Sequence, residues 1–282
     1  MRAIRTAKLL SGERVPVVGQ GTWRMGEDPA ARRSEVATLR LGIELGMTLI
    51  DTAEMYGEGG AEKVVGAAIA GRRDDVFVVS KLYPQHATKK AMVAACERSL
   101  RRLRTDRIDL YLLHWRGDVR LRETVAGFAE LLRAGKIRHA GVSNFDVADM
   151  EELARVRDGV RIAANEVLYN LLRRGIEADL LPWCRRRRLP IIAYSPLEEG
   201  LLSHRDHPAL GRVAARHGAT SSQVALAWLI RQPAVIAIPK SRHPARVREN
   251  RGAADLRLSK RDLDELDESF PPPSGPRPLE TR

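Results

Sequence analysis

The sequence has few of the residues that build disulfide scaffolds, metal sites and membrane spans. Its only cysteines are Cys96 and Cys184, and neither has a Cys or His neighbour at the spacing of a metal motif. Two isolated cysteines are typical of reduced, buried thiols in a cytosolic protein. The apolar runs are strand-sized, well below the roughly 20 residues of a membrane-spanning helix, and the segment after Met1 lacks the apolar core of a signal peptide. We expect a cytoplasmic protein with no metal and no membrane contact.

Aromatic residues are also scarce, at 5 % of the 282 residues, although the formal net charge is +12. A positive charge attracts nucleic acid and anionic surfaces, but binding single strands also requires aromatic side chains on which bases stack. The arginines are scattered over predicted helix faces. Their one dense cluster, 185–188, ends a helix, where cations face the negative end of the dipole. We expect no nucleic-acid partner, and a basic binding protein is the weakest of the alternatives.

Strand-like and helix-like segments alternate along the chain, after an opening hairpin with Ser11-Gly12 as its turn. The predicted strands are 17–23, 48–53, 76–82, 108–114, 139–144, 162–168, 190–196 and 235–239. The predicted helices are 31–45, 87–104, 121–135, 146–156, 178–188, 221–231 and 244–253. Eight strands separated by amphipathic helices predict an α/β fold, a (β/α)8 TIM barrel, which typically has about 250 residues.

Three features exceed the minimal barrel. The opening hairpin is expected to cap its bottom, an additional helix is predicted at 207–217, and a capped helix begins at Ser259. The prolines at 271–273 cannot continue that last helix. Because no repeat and no long linker divides the chain, we expect one domain, 1–282.

Four ionisable side chains stand at or just after the ends of predicted strands. Lys81 closes the run 76–81, Asp51 closes 48–51, His114 closes 110–114, and Tyr56 follows Asp51 by five residues. Each alone has an ordinary explanation, such as a turn former, a packing residue or a strand-end lysine in solvent. Because parallel strands converge at their carboxyl ends, the joint arrangement predicts one active site.

The motifs around these residues resemble those of the aldo-keto reductase family. In order along the chain they are Asp51-Thr-Ala-Glu-Met-Tyr56-Gly57, Ser80-Lys81, Leu113-His114-Trp115, Gly141-Val-Ser-Asn-Phe145, Ala193-Tyr-Ser-Pro-Leu197 and Ile238-Pro-Lys-Ser241. The similarity extends over nearly the whole chain and is greatest to short bacterial members of the methylglyoxal reductase kind. It implies a barrel enzyme that reduces carbonyl groups by hydride transfer.

The chemistry of such a reduction suggests a role for each strand-end residue. Hydride transfer leaves negative charge on the carbonyl oxygen, so a proton donor is needed there. A phenol with a pKa of about 10 is a reluctant acid, and a neighbouring ammonium lowers that pKa. We therefore expect Tyr56 to donate the proton, Lys81 to lower its pKa, and Asp51 to anchor Lys81. His114 is expected to orient the carbonyl and to hydrogen-bond the developing oxyanion.

The cofactor is inferred from the resemblance, since the dinucleotide fingerprint G-x-G-x-x-G is absent and Arg24 stands where its third glycine would be. The resemblance implies that Ser143 and Asn144 hold the nicotinamide carboxamide and that Tyr194 stacks on the ring. It also places Ser195 and Leu197 along the pyrophosphate.

The same resemblance indicates NADPH rather than NADH. Lys240, Ser241 and Arg246 match positions that hold the 2′-phosphate, and Glu249 with Asn250 match those that contact the adenine. Two cations and a hydroxyl suit a dianionic phosphate. The alternative, a basic loop before a surface helix, is credible for Arg242 and Arg248.

Glu166 departs from the family pattern, which has glutamine at this position to accept a hydrogen bond from the carboxamide. An ionised glutamate adds negative charge beside the ring. We hypothesise that it tightens the binding of NADP⁺ relative to NADPH and slows cofactor release.

Trp23 and Trp115 match aromatic positions that line the substrate pocket, and the loop after His114 and the tail beyond 270 are both short. We expect a shallow pocket that accepts small aldehydes, 2-oxoaldehydes or ketones, in a monomeric enzyme. An NADPH-occupied regulatory subunit that senses redox state with little turnover is the alternative.

Overall fold

The computed structural model describes residues 3–156, 160–203 and 207–282. A hairpin of β1 (Thr6–Lys8) and β2 (Arg14–Pro16) comes first. The strands of the main sheet are β3 (Gln20–Gly21), β4 (Leu49–Asp51), β5 (Phe77–Leu82), β6 (Ile108–Leu113), β7 (Ile137–Ser143), β8 (Ile162–Leu168), β9 (Ile191–Tyr194) and β10 (Val235–Ala237). The helices are α1 (Arg32–Glu44), α2 (Gly60–Ala68), α3 (Lys89–Leu103), α4 (Leu121–Arg133), α5 (Val147–Arg155), α6 (Leu180–Arg186), α7 (Pro208–Arg216), α8 (Ser221–Ile230), α9 (Pro244–Gly252) and α10 (Lys260–Ser269).

The main sheet is a closed parallel barrel. Its strands pair in chain order from β3 to β10, and bridges Val18↔Ala237 and Gly21↔Lys240 join the last strand to the first. At this seam the amide of Gly19 donates to the carbonyl of Ala237 at 2.8 Å. The predicted (β/α)8 barrel is therefore confirmed, with all eight predicted strands present.

The strands are buried on both faces, as parallel strands covered by helices must be. All six residues of β5 and all six of β6 are buried, which matches their continuous apolar sequence. Burial of this kind leaves no solvent for a charged side chain. Lys81 and Asp109, which lie within these strands, both find partners of opposite charge.

Half of the described α-helices begin at a side-chain cap. The side chain of Thr88 accepts from the amide of Ala91 at the start of α3, and reciprocal capping boxes open α5, α8 and α10. The additional helix expected at 207–217 is α7, and the one beginning at Ser259 is α10. No helix in the described ranges combines the length and the apolar character needed to cross a bilayer.

One helix, α2, was not predicted. Its sequence begins in a run of glycines and contains Gly66, and glycine has a poor helix propensity. The helix forms because packing compensates for propensity: a Cβ added at Gly66 would lie 2.6 Å from the carbonyl oxygen of Leu103 in α3. The glycine that weakens the sequence pattern is the one that lets the two helices meet.

The hairpin caps the amino-terminal end of the barrel, as expected. Its turn contains Gly12 at φ +93°, a left-handed conformation that favours glycine. Next to the turn, Glu13 pairs with Arg138 at 2.9 Å and with His139 at 2.7 Å, both near the start of β7. The opposite, carboxyl-terminal end of the barrel is left for the site.

Candidate active site

Lys81 is the centre of a buried polar cluster at the carboxyl end of the barrel. Its Nζ lies 2.5 Å from Oδ1 of Asp51, 3.1 Å from the carbonyl oxygen of Thr52 and 3.2 Å from Oη of Tyr56. It also lies 3.2 Å from Oε1 of Glu166. Burial lowers the pKa of Lys81, but the neighbouring carboxyls outweigh it and hold the pKa above its ordinary value. The side chain of Lys81 is therefore an ammonium in this site.

Tyr56 reaches this ammonium from the turn that follows β4. Its ring meets Trp23 edge-on at a centroid distance of 5.0 Å and His114 at 5.9 Å. Burial raises the pKa of Tyr56, and the opposing effect of Lys81 does not overcome it. Lys81 thus acts on the pKa of Tyr56 in the direction expected of it, but burial has the larger effect, and the phenol keeps its proton in this site.

His114 follows β6 and is buried beside Tyr56. Burial, followed by the charge of Lys81, lowers the pKa of His114 to about 2. Its Nδ1 is buried and meets no hydrogen-bonding partner among the described residues. A neutral imidazole beside Tyr56 is suited to form a hydrogen bond with a polar substrate atom.

Glu166 lies in β8 and is buried, with its Oε1 3.2 Å from Nζ of Lys81. Burial and the adjacent Asp51 raise the pKa of Glu166 well above its ordinary value. Its Oε2 is buried and has no hydrogen-bonding partner in the part of the chain that the structure describes. The sequence pattern did not indicate the contact between Glu166 and Lys81, because it depends on how β5 and β8 face each other across the barrel.

Ser143, Asn144 and Tyr194 are brought together beside the cluster, as expected. The hydroxyl of Ser143 donates to the carbonyl of Glu166 at 2.9 Å, and Tyr194 donates to Oδ1 of Asn144 at 3.0 Å. Nδ2 of Asn144 donates to the carbonyl of His114 at 3.1 Å, and its backbone is left-handed at φ +57°. These hydrogen bonds connect β6, β7, β8 and β9 in one network at the carboxyl end of the barrel.

The loop after β9, which carries Ser195 and Leu197, is held by a cluster that sequence reasoning missed. Glu198 is buried and pairs with Arg173 at 2.9 Å and with the guanidinium of Arg282. The amide of Arg282 donates to Oη of Tyr194 at 3.3 Å. The tail beyond residue 270 was expected to leave the pocket open. Arg282 instead contacts Tyr194, and no local sequence pattern indicates a contact between residues so far apart in the chain.

The cations expected to bind the 2′-phosphate lie at the end of β10 and the start of α9. Neither Lys240 nor Arg246 forms an ion pair with any residue in the described ranges. Burial and the adjacent Arg242 lower the pKa of Lys240, and Arg24 adds to this effect. Available positive charge beside the Ser241 hydroxyl fits a phosphate dianion. Arg24 is a further cation here that the sequence analysis did not assign.

The two adenine positions are less open. Glu249 accepts from the hydroxyl of Thr220 at 2.5 Å, and Asn250 is buried. Their side chains are therefore partly committed to the packing of α9 against α8.

Aromatic side chains line the outer part of the site. Trp23 is 42 % exposed and Trp115 is 37 % exposed, which leaves both available to a ligand. Tyr83, not assigned from the sequence, meets Trp115 at a centroid distance of 6.0 Å. Glu54 helps to position Tyr83, because its carboxylate accepts a hydrogen bond from the amide of Tyr83 at 2.8 Å.

Known proteins match this chain along almost its whole length. The profile of the Aldo/keto reductase family matches residues 17–270. Methylglyoxal reductase YeaE of Escherichia coli (strain K12) is 51 % identical over 272 residues, covering 94 % of this chain and 95 % of the relative.

Solved structures agree in fold. An aldo/keto reductase from Klebsiella pneumoniae in complex with NADP and acetate matches with a TM-score of 0.95 at 50 % identity, covering 99 % of this chain and 100 % of that one. An aldo-keto reductase from the same organism in complex with NADPH matches with a TM-score of 0.94 at 50 % identity, covering 100 % of both chains.

Proposed function

The chain belongs to the aldo/keto reductase family, and on this basis we propose the catalytic roles and the substrate class of its site. It is an NADPH-dependent oxidoreductase that reduces small aldehydes or ketones to alcohols by hydride transfer. The observation that supports the roles most strongly is the position of Lys81, whose ammonium bonds both Asp51 and Tyr56 inside the barrel.

Tyr56 is the proton donor in this proposal. It is a protonated phenol at neutral pH, because burial raises its pKa. The ammonium of Lys81, 3.2 Å away, stabilises the phenolate left after the proton has moved to the substrate oxygen. Asp51 keeps that ammonium charged and in place.

His114 orients the substrate. As a neutral imidazole it hydrogen-bonds the carbonyl oxygen beside Tyr56, and this bond strengthens as negative charge develops on that oxygen. Trp23, which contacts Tyr56, and Trp115, which contacts His114, provide apolar surface for the substrate next to these two groups.

NADPH, when bound, supplies the hydride. In this proposal Ser143, Asn144 and Glu166 hold the carboxamide, with Tyr194 against the ring and Ser195 and Leu197 along the pyrophosphate. Lys240, Ser241 and Arg246 hold the 2′-phosphate, with Glu249 and Asn250 at the adenine. Lys240 and Arg246, which form no ion pair with any residue that the structure describes, support this order of binding positions.

Methylglyoxal and related 2-oxoaldehydes are the substrates we propose, since the relative named as a methylglyoxal reductase shares 51 % of the aligned residues. Solvent-exposed aromatic walls suit small, weakly discriminated carbonyls. The regulatory alternative is not favoured, because the compared relatives are reductases. We further propose that the chain acts as a monomer in the cytoplasm and as one domain.

NADPH oxidation with methylglyoxal tests the proposal, with wild type and Tyr56→Phe compared at equal concentration. We expect turnover by wild type and a loss of at least about 100-fold in the variant, with NADPH binding preserved in both. Unaltered turnover by Tyr56→Phe would overturn the proton-donor assignment. Tight NADPH binding by wild type without turnover of any carbonyl would favour the regulatory reading.

A further inference from the structure

Glu166 is placed to exchange a proton with the catalytic tyrosine through Lys81. Nζ of Lys81 lies 3.2 Å from Oη of Tyr56 and 3.2 Å from Oε1 of Glu166. All three side chains are buried. Lys81 therefore connects Tyr56, which loses a proton in each turnover, with Glu166, to which the proposed function assigns only the binding of the cofactor.

The charges around Lys81 require one proton to be shared among the carboxyls. Asp51, at 2.5 Å, is the closer partner of the ammonium, and one carboxylate suffices to neutralise it. A second buried carboxylate without a matching cation is costly. Burial raises the pKa of both carboxyls, and Glu166, which lies farther from the ammonium at 3.2 Å, is the one that remains protonated. Tyr194, from β9, also faces it.

We propose that Glu166 stores the proton that restores Tyr56 after each reduction. The O–H bond of Tyr56 breaks when its proton moves to the substrate oxygen. Lys81 then gives one N–H proton to the phenolate, and the O–H bond of Glu166 breaks to return a proton to Lys81. The carboxyl ends as a carboxylate, which would balance the positive charge of an oxidised nicotinamide held beside it, and it takes up a proton from solvent again when NADP⁺ leaves.

This role rests on the proposed function and changes the earlier hypothesis about Glu166. In the free protein the carboxyl is neutral, so it does not attract NADP⁺ as a permanent charge. Tighter binding of NADP⁺ than of NADPH instead requires Glu166 to lose its proton. The ratio of the NADP⁺ and NADPH association constants should therefore rise about tenfold per pH unit while Glu166 is protonated in the free protein.

Calorimetric titration with NADP⁺ and with NADPH, each in two buffers of different ionisation enthalpy, measures the protons released on binding. The 2′-phosphate is common to both cofactors, so its own titration cancels in the difference. We expect wild type to release about one more proton with NADP⁺ than with NADPH, and Glu166→Gln to show no difference. Glu62→Gln is the matched control: Glu62 is a buried carboxyl bonded to Ser80 and Arg102, and the wild-type difference should persist.

The proposal is overturned if wild type releases the same number of protons with NADP⁺ as with NADPH. It is also overturned if the extra proton released with NADP⁺ is the same in Glu166→Gln as in wild type. If Glu166→Gln fails to fold, the pH dependence of the affinity ratio in wild type still decides, since a constant ratio contradicts proton storage. The proposed function fails separately, through the absence of carbonyl reduction by wild type, and none of these binding measurements depends on turnover.

Discussion

Nζ of Lys81 lies 3.2 Å from the phenol oxygen of Tyr56, and both side chains are buried in the carboxyl end of the barrel. Burial alone makes phenolate formation unfavourable, as the raised pKa of Tyr56 records. The ammonium is the group that offsets this cost when the proton leaves. The pair therefore holds a tyrosine that stays protonated at rest and can still act as an acid.

The pH profile of kcat/KM should show no titration of His114. Because its pKa is lowered to about 2, the imidazole is neutral across the range from about pH 5 to 8 in which histidine normally titrates. We expect His114→Gln to lower kcat/KM without changing the shape of the profile. A wild-type inflection at about pH 6.5 that disappears in His114→Gln would contradict this assignment.

Cofactor choice should depend on Arg246. Removing its guanidinium as Arg246→Ala deletes a cation placed for the 2′-phosphate, so the KM for NADPH should rise by about tenfold or more, while the KM for NADH should hardly change. Arg248→Ala removes an exposed arginine from the same helix and serves as the control. An equal increase in the KM for NADPH in both variants would show that NADPH binding depends only on the general positive charge of this helix.

Asp262 should be a major contributor to the stability of the carboxyl-terminal helix. Burial raises its pKa, but hydrogen bonds from His217, Ser259 and Arg216 more than compensate and lower it. A carboxylate with a lowered pKa stabilises the fold above the unfolded value of about 4, and this contribution is lost as the pH falls below it. We expect Asp262→Asn to cost about 2 kcal/mol at neutral pH.

Urea unfolding at neutral and acidic pH measures this effect. The difference in the free energy of unfolding between Asp262→Asn and wild type should become smaller as the pH falls. Asp264→Asn is the control in the same helix. Asp264 is 56 % exposed and pairs with Lys260, so its loss should change the free energy of unfolding by no more than about 1 kcal/mol. A similar cost for both variants would contradict the account of Asp262.

The barrel could be predicted because its signals are local. Apolar runs such as 108–113 mark buried strands, and caps such as Thr88 and Ser259 mark helix starts. The helix α2 escaped because its propensity is low and its stability comes from the approach of Gly66 to Leu103.

The grouping of Asp51, Tyr56, Lys81 and His114 could be predicted for a related reason. The order of the strands already brings the carboxyl ends of β4, β5 and β6 side by side. What could not be predicted depends on burial and on distant contacts. Nothing in the local sequence places Arg282 on Tyr194, and the pKa of Tyr56 is set by the enclosure around it, which outweighs Lys81.

The rate of hydride transfer in Lys81→Met tests the central claim most directly. Methionine fills the same space without a charge, so the variant keeps the barrel packed and removes only the ammonium beside Tyr56. Single-turnover oxidation of bound NADPH by methylglyoxal should slow by at least about 100-fold, while the NADPH dissociation constant stays within a few-fold of wild type. A variant that retains the wild-type rate would show that Lys81 is structural and contradict the account.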